Sequence, residues 1–216
     1  MNATDLFEAI QAGDAERVRK LIGANRSLVN AHREDGVSAV LVAMYQGHPE
    51  IATELALAGA DLDIFEAAAT GHVERLDELL ARDGTPVMSY SPDGWTPLHL
   101  AAFFGQERAV ALLIERGGAV DAWSRNATSN QPLHAAVAGN DTDSSLWLLR
   151  HGAPVDTRQQ GGFTPLHAAA QHGNAEVAAA LLGHGADPTV RTDDGRTAAE
   201  IAREAGHPEV AAQLGG

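Results

Sequence analysis

One short stretch constrains the fold of this chain more than any other feature. The sequence GWTPLHLAAFFG at 94–105 combines a turn, a helix start and a helix end. Thr96 is suited to cap a helix, because its hydroxyl can accept a hydrogen bond from a free amide of the first turn. Pro97 fits the first helical position, where its missing N–H costs nothing, and Gly105 is suited to end the helix. A helix of this length is not stable alone, so the stretch must pack against further copies of itself.

Such copies occur along the whole sequence. TPLHAAA at 164–170 repeats the stretch closely, QPLHAA at 131–136 repeats it with Gln131 at the cap position, and TAAEIA at 197–202 is a degenerate copy. The residues that end the first helix of each unit follow at steps of 33 to 35 residues, with one step of 24. They are Gly13, Gly47, Gly71, Gly105, Asn140, Gly173 and Gly206. Such self-similarity is the signature of a repeat architecture.

We therefore expect one domain of seven helix–turn–helix units that fills the chain. The units span roughly 1–30, 31–60, 61–88, 89–121, 122–155, 156–188 and 189–216. The predicted helix pairs are 5–12 and 15–23, 39–46 and 49–58, 64–70 and 73–82, 97–104 and 107–116, 132–138 and 142–151, 165–172 and 175–184, and 198–205 and 208–214.

Unit three is irregular. The step from Gly47 to Gly71 is about ten residues short, and the missing part is the turn before the first helix. Asp63 and Glu66 have the spacing of a capping box, which would start that helix without a turn. A turn from Thr85 to Gly94 is predicted before the first helix of unit four.

The recurring motifs resemble ankyrin repeats. The resemblance rests on Thr-Pro-Leu-His at 96–99 and 164–167, Gly-Ala-Asp at 59–61 and 185–187, and a period near 33. It implies an all-α repeat solenoid of antiparallel helix pairs, with short β-hairpin turns projecting as fingers and one finger missing before unit three. It also implies a non-catalytic module that holds a protein partner on its concave face. The order of the motifs is more similar to bacterial stand-alone ankyrin-repeat proteins than to a fragment of a eukaryotic scaffold.

The same resemblance assigns a structural role to one set of residues. In the family, the histidine of the motif bonds to its own turn and to the neighbouring repeat. The residues carried over to this structural role are Thr96, Pro97, His99, His134, Thr164, Pro165 and His167. Because the three histidines are stacked one per unit, they are not expected to converge on a metal ion.

Composition argues against several classes of function. The formal net charge is −14, which is unfavourable for nucleic-acid binding because that needs a basic face. The chain has no cysteine, no apolar run of the roughly 20 residues that span a membrane, and no leader-like segment at its start. The lone pair Gly161-Gly162 lacks the spacing of a nucleotide-binding loop. We expect a monomeric cytoplasmic protein without cofactor, metal or catalytic site.

The positions of the aromatic residues suggest a binding surface. Seven of the ten fall at repeat positions that, in the family architecture, face the concave side: Tyr45, Tyr90, Trp95, Phe103, Phe104, Trp123 and Phe163. Interface hot spots are enriched in such residues. Equivalent positions carry polar residues that would form the rim, among them Arg158, Gln171 and His172. We expect a protein partner to bind there, chiefly on units four to six.

Other interpretations stay open on the sequence alone. The aromatic residues, Trp95 and Phe103 among them, could instead pack the fingers against one another. The missing finger could open a notch between Tyr45 and Tyr90 for a small ligand or peptide. Self-association through the aromatic residues, or a role as an enzyme subunit, is a further alternative.

Overall fold

The computed structural model describes residues 2–82 and 86–215, which form seven helix pairs. The first helices of the pairs are Ala3–Gln11 (α1), Ala39–Tyr45 (α3), Ile64–Thr70 (α5), Pro97–Phe103 (α7), Pro132–Ala138 (α9), Pro165–His172 (α11) and Ala198–Glu204 (α13). The second helices are Ala15–Ala24 (α2), Pro49–Leu57 (α4), Val73–Leu80 (α6), Glu107–Glu115 (α8), Thr142–Arg150 (α10), Ala175–Gly183 (α12) and Pro208–Gln213 (α14). The predicted helix pairs are confirmed, with ends that differ by about two residues at most.

The pairs stack in chain order. Each odd-numbered helix packs against the next odd-numbered one, from α1 on α3 to α11 on α13. The even-numbered helices from α6 to α14 pack against one another in the same way and form a second row. The buried side chains make one continuous apolar cluster that runs from Leu6 to Leu214. An all-α repeat solenoid is therefore confirmed. Two short 3-10 helices, Arg26–Asn30 and Gln160–Gly162, lie in the connections.

Local chemistry starts and ends the helices as the sequence predicts. Asp63 accepts hydrogen bonds from the amides of Phe65 (2.8 Å) and Glu66 (3.0 Å), and the Glu66 carboxylate accepts from the Asp63 amide (2.8 Å). The predicted capping box of unit three is thus confirmed. The seven helix-ending residues all have positive φ, including Asn140 at 54°. Asparagine tolerates this left-handed conformation better than other non-glycine residues.

Five loops project beside the first helices, and we call them fingers: residues 32–38, 90–96, 123–131, 158–164 and 191–197. Each is closed at its base by a backbone hydrogen bond, such as Ser91 N–H to Trp95 O (2.8 Å) and Thr192 N–H to Arg196 O (2.9 Å). The described residues contain no β-strand, only the isolated bridges His32–Ser38 and Arg191–Thr197. The fingers are therefore tight turns rather than extended hairpins, because seven to nine residues leave no room for a ladder.

Unit three has no finger. Leu62 leads directly into the capping residue Asp63, as its short repeat predicts. The beginning of the predicted turn before unit four, at Thr85, lies outside the described residues, as do the chain ends Met1 and Gly216.

Neighbouring fingers are joined by backbone hydrogen bonds that all run in one direction. Arg125 donates to Gly94 O (2.8 Å), Gln160 to Thr128 O (3.0 Å) and Asp193 to Gly161 O (2.9 Å). In each of these bonds the donor belongs to the finger that comes later in the chain, and it is the third residue of that finger. A regular relay therefore links the fingers of units four to seven.

The relay begins at a proline. Pro92 occupies the donor position in the finger of unit four, where it has no N–H to offer. The preceding unit has no finger to accept a bond, so nothing is lost. Instead Pro92 packs near Gly36 in the finger of unit two, where an added β-carbon would lie 3.3 Å from its Cβ and Cγ atoms. The fingers of units two and four thus meet across the fingerless unit.

Candidate functional site

Four of the seven aromatic residues form one continuous cluster. Tyr45 and Phe104 have ring centroids 5.4 Å apart, Phe104 and Phe103 5.0 Å, and Phe103 and Trp95 5.2 Å. The last two pairs are edge-to-face, the arrangement that aromatic quadrupoles favour. Trp95, Phe103 and Phe104 are half-buried by these contacts. We call Tyr45, Phe104, Phe103 and Trp95 the aromatic ladder; packing between units accounts for much of it.

The ladder spans unit three because that unit is small there. Ala69 and Thr70 occupy the positions at the end of α5 that Phe103 and Phe104 occupy at the end of α7. Tyr45, from α3, therefore reaches Phe104 directly. Its hydroxyl also donates a hydrogen bond to the Asp93 carboxylate in the finger of unit four. Partial burial and this carboxylate raise the pKa of Tyr45 well above its usual range.

A cavity lies between residues of units two and three, where the finger is missing. It has a volume of about 310 Å³. Its lining comprises Asn30, His32, Asp61, Asp63 and Glu66. Glu66 is 7% exposed, and burial followed by the nearby Asp63 charge raises the pKa of its carboxyl. The cavity is therefore acidic in character and separate from the space between Tyr45 and Tyr90.

A second aromatic group lies at the fingers of units four and five. The Tyr90 hydroxyl donates to Trp123 O (3.1 Å), and the guanidinium carbon of Arg125 lies 3.8 Å from the centre of the Tyr90 ring. Trp123 is 44% exposed, and Met88, two residues before Tyr90, is also exposed. Within residues 2–82 and 86–215, Arg125 has no carboxylate at ion-pair distance. We call Tyr90, Trp123 and Arg125 the finger patch.

The other predicted binding residues lie apart from both groups. Phe163 is half-buried, with its ring 5.6 Å from that of His167. Arg158 is exposed and forms an ion pair with Asp193 at 2.9 Å. Gln171 and His172 are exposed at the end of α11. The ring contacts of the described chain do not join these residues to the ladder.

The motif histidines are built into the scaffold. The Nε2 atoms of His99, His134 and His167 lie 3.1, 2.9 and 3.1 Å from carbonyl oxygens of the following unit. The acceptor Asn130 is in the finger of its unit, and the acceptors Thr157 and Val190 directly precede theirs. Each Nε2 must carry the proton, since a carbonyl can only accept. Nδ1 of His99 and of His167 faces the capping threonine of its own unit, Thr96 and Thr164, at 2.7 and 2.8 Å. Pro97 and Pro165 hold the first helical positions.

Burial keeps these histidines neutral. It lowers the pKa of His99 and of His134 to about 4, and it lowers the pKa of His167 as well. Throughout the described ranges, no three His, Cys, Asp or Glu side chains lie close enough to hold a metal ion.

No helix in the part of the chain that the structure describes is long and apolar enough to cross a membrane.

Two contributors to the surface were missed by the sequence reasoning. Arg125 is the third residue of the finger of unit five, and its contact with Tyr90 distinguishes its side chain from other surface arginines. Asp93 reads as an ordinary turn residue before Gly94, yet it holds Tyr45. Neither has a sequence signal, because both contacts join different units.

Comparison with known proteins shows which family has this architecture. Residues 64–159 match the family model described as Ankyrin repeats (3 copies), and residues 148–202 match Ankyrin repeats (many copies). A putative ankyrin repeat protein of fowlpox virus (strain NVSL) is 27% identical over 73% of this chain and 37% of its own length.

Two larger proteins match shorter parts. A probable E3 ubiquitin-protein ligase of Oryza sativa subsp. japonica is 37% identical over 45% of this chain and 22% of its own length. The human neurogenic locus notch homolog protein 4 is 36% identical over 60% of this chain and 6% of its own length. The chain thus spans well under half the length of these relatives. Ankyrin repeats generally mediate protein–protein interaction. By its matches and its stacked helix pairs, the chain belongs to the ankyrin-repeat family.

Proposed function

We propose that this chain is a non-catalytic protein-interaction module that binds its partner through the aromatic residues of units four to six. The observation that supports this most directly is the finger patch. Trp123 is 44% exposed beside Tyr90 and an arginine that lies on the Tyr90 ring. Tryptophan, tyrosine and arginine are the residue types enriched at interface hot spots.

The structure refines which residues would contribute. The inner ladder residues Trp95 and Phe103 are half-buried, so they would support the surface more than contact a partner. Trp123 and Tyr90 would make the central contacts, and the outer ladder residue Tyr45 of unit two would extend the surface at one side. Arg158, Gln171 and His172 are exposed toward the later units and would form the polar rim.

The arrangement of titratable groups favours binding over catalysis. An active site needs acid, base and nucleophile side chains that converge in one pocket. Here the recurring histidines are buried, neutral and separated by a unit each. We propose a protein partner rather than nucleic acid for this acidic chain, and a monomeric cytoplasmic form.

Loss of one exposed tryptophan tests this proposal. Tagged wild-type protein and the Trp123→Ala variant are cross-linked in lysate of the native cells, and the recovered partners are quantified. Trp123→Ala should lose the partner by about tenfold or more, since one hot-spot aromatic contributes roughly 2 kcal/mol.

A matched control removes another exposed apolar side chain. Leu57 is 82% exposed at the end of α4 and belongs neither to the ladder nor to the patch. Leu57→Ala should leave recovery unchanged. Equal recovery with wild type and Trp123→Ala, when both have the same helical circular dichroism, would rule out this binding surface.

The cavity at the missing finger supports a second candidate function. Its volume of about 310 Å³ is at the lower end of small-ligand pockets. Its buried Glu66 carboxyl, with a raised pKa, could bind an amine or hydroxyl group of a small molecule or peptide. Thermal-shift screening with small metabolites should then show stabilisation that Glu66→Ala removes. A shift that persists in Glu66→Ala, or no shift with any compound, would count against this candidate.

A further inference from the structure

The first residues of successive fingers form a row whose chemistry changes along the chain. In units four to seven these residues are Tyr90, Trp123, Arg158 and Arg191. The relay of backbone hydrogen bonds holds the four fingers in fixed register. The row is therefore aromatic in units four and five and cationic in units six and seven.

Arg125 connects the two halves chemically. Its guanidinium lies over the Tyr90 ring, and its backbone amide is fixed by Gly94. A guanidinium held on an aromatic face keeps its hydrogen-bond donors directed outward and loses little entropy on binding. Since it has no carboxylate partner among the described residues, its charge is available to another molecule.

The two later arginines are paired but not saturated. Arg158 bonds to Asp193 at 2.9 Å, and Arg191 bonds to Glu200 at 3.3 Å; their side chains remain 48% and 58% exposed. Each guanidinium has five N–H donors, so these contacts orient the group and leave donors in solvent. The cationic half of the row can thus accept further carboxylates.

From this pattern we infer that the partner presents an extended acidic segment, with an apolar side chain on Trp123 and carboxylates on Arg125 and then Arg158. This inference rests on the proposed function. A basic segment would place its positive charges against Arg125, and this repulsion would weaken its binding. A nucleic acid would meet the same arginines, but it carries one negative charge per nucleotide, so the net charge of −14 repels it more strongly than a short segment with few carboxylates.

Selection from random peptides tests the inference with the full chain. Peptides of about 12 residues are displayed, because an extended chain rises about 3.3 Å per residue and four stacked units span roughly 30 Å. We expect the enriched peptides to be net negative and to carry an aromatic or large aliphatic residue. Enrichment of neutral or basic peptides would overturn the inference.

Three variants then separate charge from apolar contact in the binding of an enriched peptide, followed by fluorescence anisotropy. Arg125→Glu and Trp123→Ala should each weaken binding by about tenfold or more. Arg150→Glu is the matched control, because Arg150 is an exposed arginine at the end of α10 without an ion-pair partner among the described residues. It should bind like wild type.

The outcomes distinguish the inference from the proposed function. If Trp123→Ala abolishes binding and Arg125→Glu does not, the aromatic surface stands and the acidic partner is wrong. If no peptide is enriched, or neither variant changes binding, the surface itself is refuted. If single-stranded DNA of similar length binds as tightly and with the same dependence on Arg125, the site recognises polyanions and the peptide inference fails.

Discussion

Replacement of one glycine by alanine should show how tightly two neighbouring units are packed. Gly139 follows α9 and lies against the backbone of α7. A β-carbon placed on Gly139 would lie 2.0 Å from Phe103 O and 2.9 Å from its carbonyl carbon. The φ angle of Gly139 is −71°, which any residue adopts, so alanine meets no backbone strain of its own. The cost of Gly139→Ala in the folded state is therefore purely steric.

The expected magnitude follows from two opposing effects. Removing a glycine from the unfolded chain normally stabilises a protein by about 0.4–1 kcal/mol. Against this, α7 and α9 must separate by about 1 Å to relieve the clash, and overpacking of this kind costs about 1–3 kcal/mol or somewhat more. We expect a net loss of about 1–2 kcal/mol, and a changed environment for the ladder residue Phe103.

Urea unfolding followed by circular dichroism measures this loss, with the same substitution as a control elsewhere. Gly23 in α2 and Gly183 in α12 have no neighbouring atom within 4 Å of a built β-carbon. Gly23→Ala and Gly183→Ala should stabilise by up to about 1 kcal/mol. Hydrogen exchange should place the loss in Gly139→Ala at α7 and α9. The reasoning is refuted if Gly139→Ala is as stable as these controls.

Three further predictions concern the scaffold. The buried histidines His99 and His134 are neutral in the folded state, so the stability that they contribute is complete above pH 6.5 and is lost as pH falls toward 4, by about 3 kcal/mol each. The variant His99→Leu, which copies Leu41 of unit two, should therefore make the urea midpoint depend less on pH. An unchanged pH dependence would contradict this. Pro92→Ala should change the free energy of unfolding by less than about 0.5 kcal/mol. Arg125→Pro, which removes a finger-to-finger hydrogen bond, should lower it by about 1 kcal/mol or more. Equal melting temperatures for the two variants would argue against the relay. Glu66→Gln should stabilise the protein at pH 7 and lose that advantage at low pH, because a carboxyl whose pKa is raised by burial destabilises the folded state when charged. A loss of thermal stability at pH 7 would show that the charge of Glu66 stabilises the helix cap by more than its burial costs.

The sequence was sufficient for the helices because their signals are local. Caps such as Thr96 and Asp63, prolines at first helical positions and left-handed residues such as Asn140 act within one turn of chain. The fingerless unit was also predictable, since a missing turn shortens the period. The fingers differ from the expected hairpins because strand pairing depends on length rather than on motif.

The surface could be predicted only in part, because it depends on contacts between units. The positions of Trp123 and Tyr45 in the repeat indicated surface aromatics. That Tyr45 reaches over Ala69 to Phe104, or that Arg125 covers Tyr90, depends on how side chains of different units meet. Phe103 and Tyr45 occupy the same position in their repeats, yet Phe103 packs between units whereas Tyr45 is exposed.

The one-way relay of the fingers gives the array a direction of growth. A repeat grafted after unit seven would bring its own donor N–H and need only a carbonyl on the last finger. A fingered repeat grafted directly before unit four would meet Pro92, which cannot donate to it. A repeat added after unit seven can therefore continue the relay, whereas a fingered repeat inserted before unit four would lack one of its bonds.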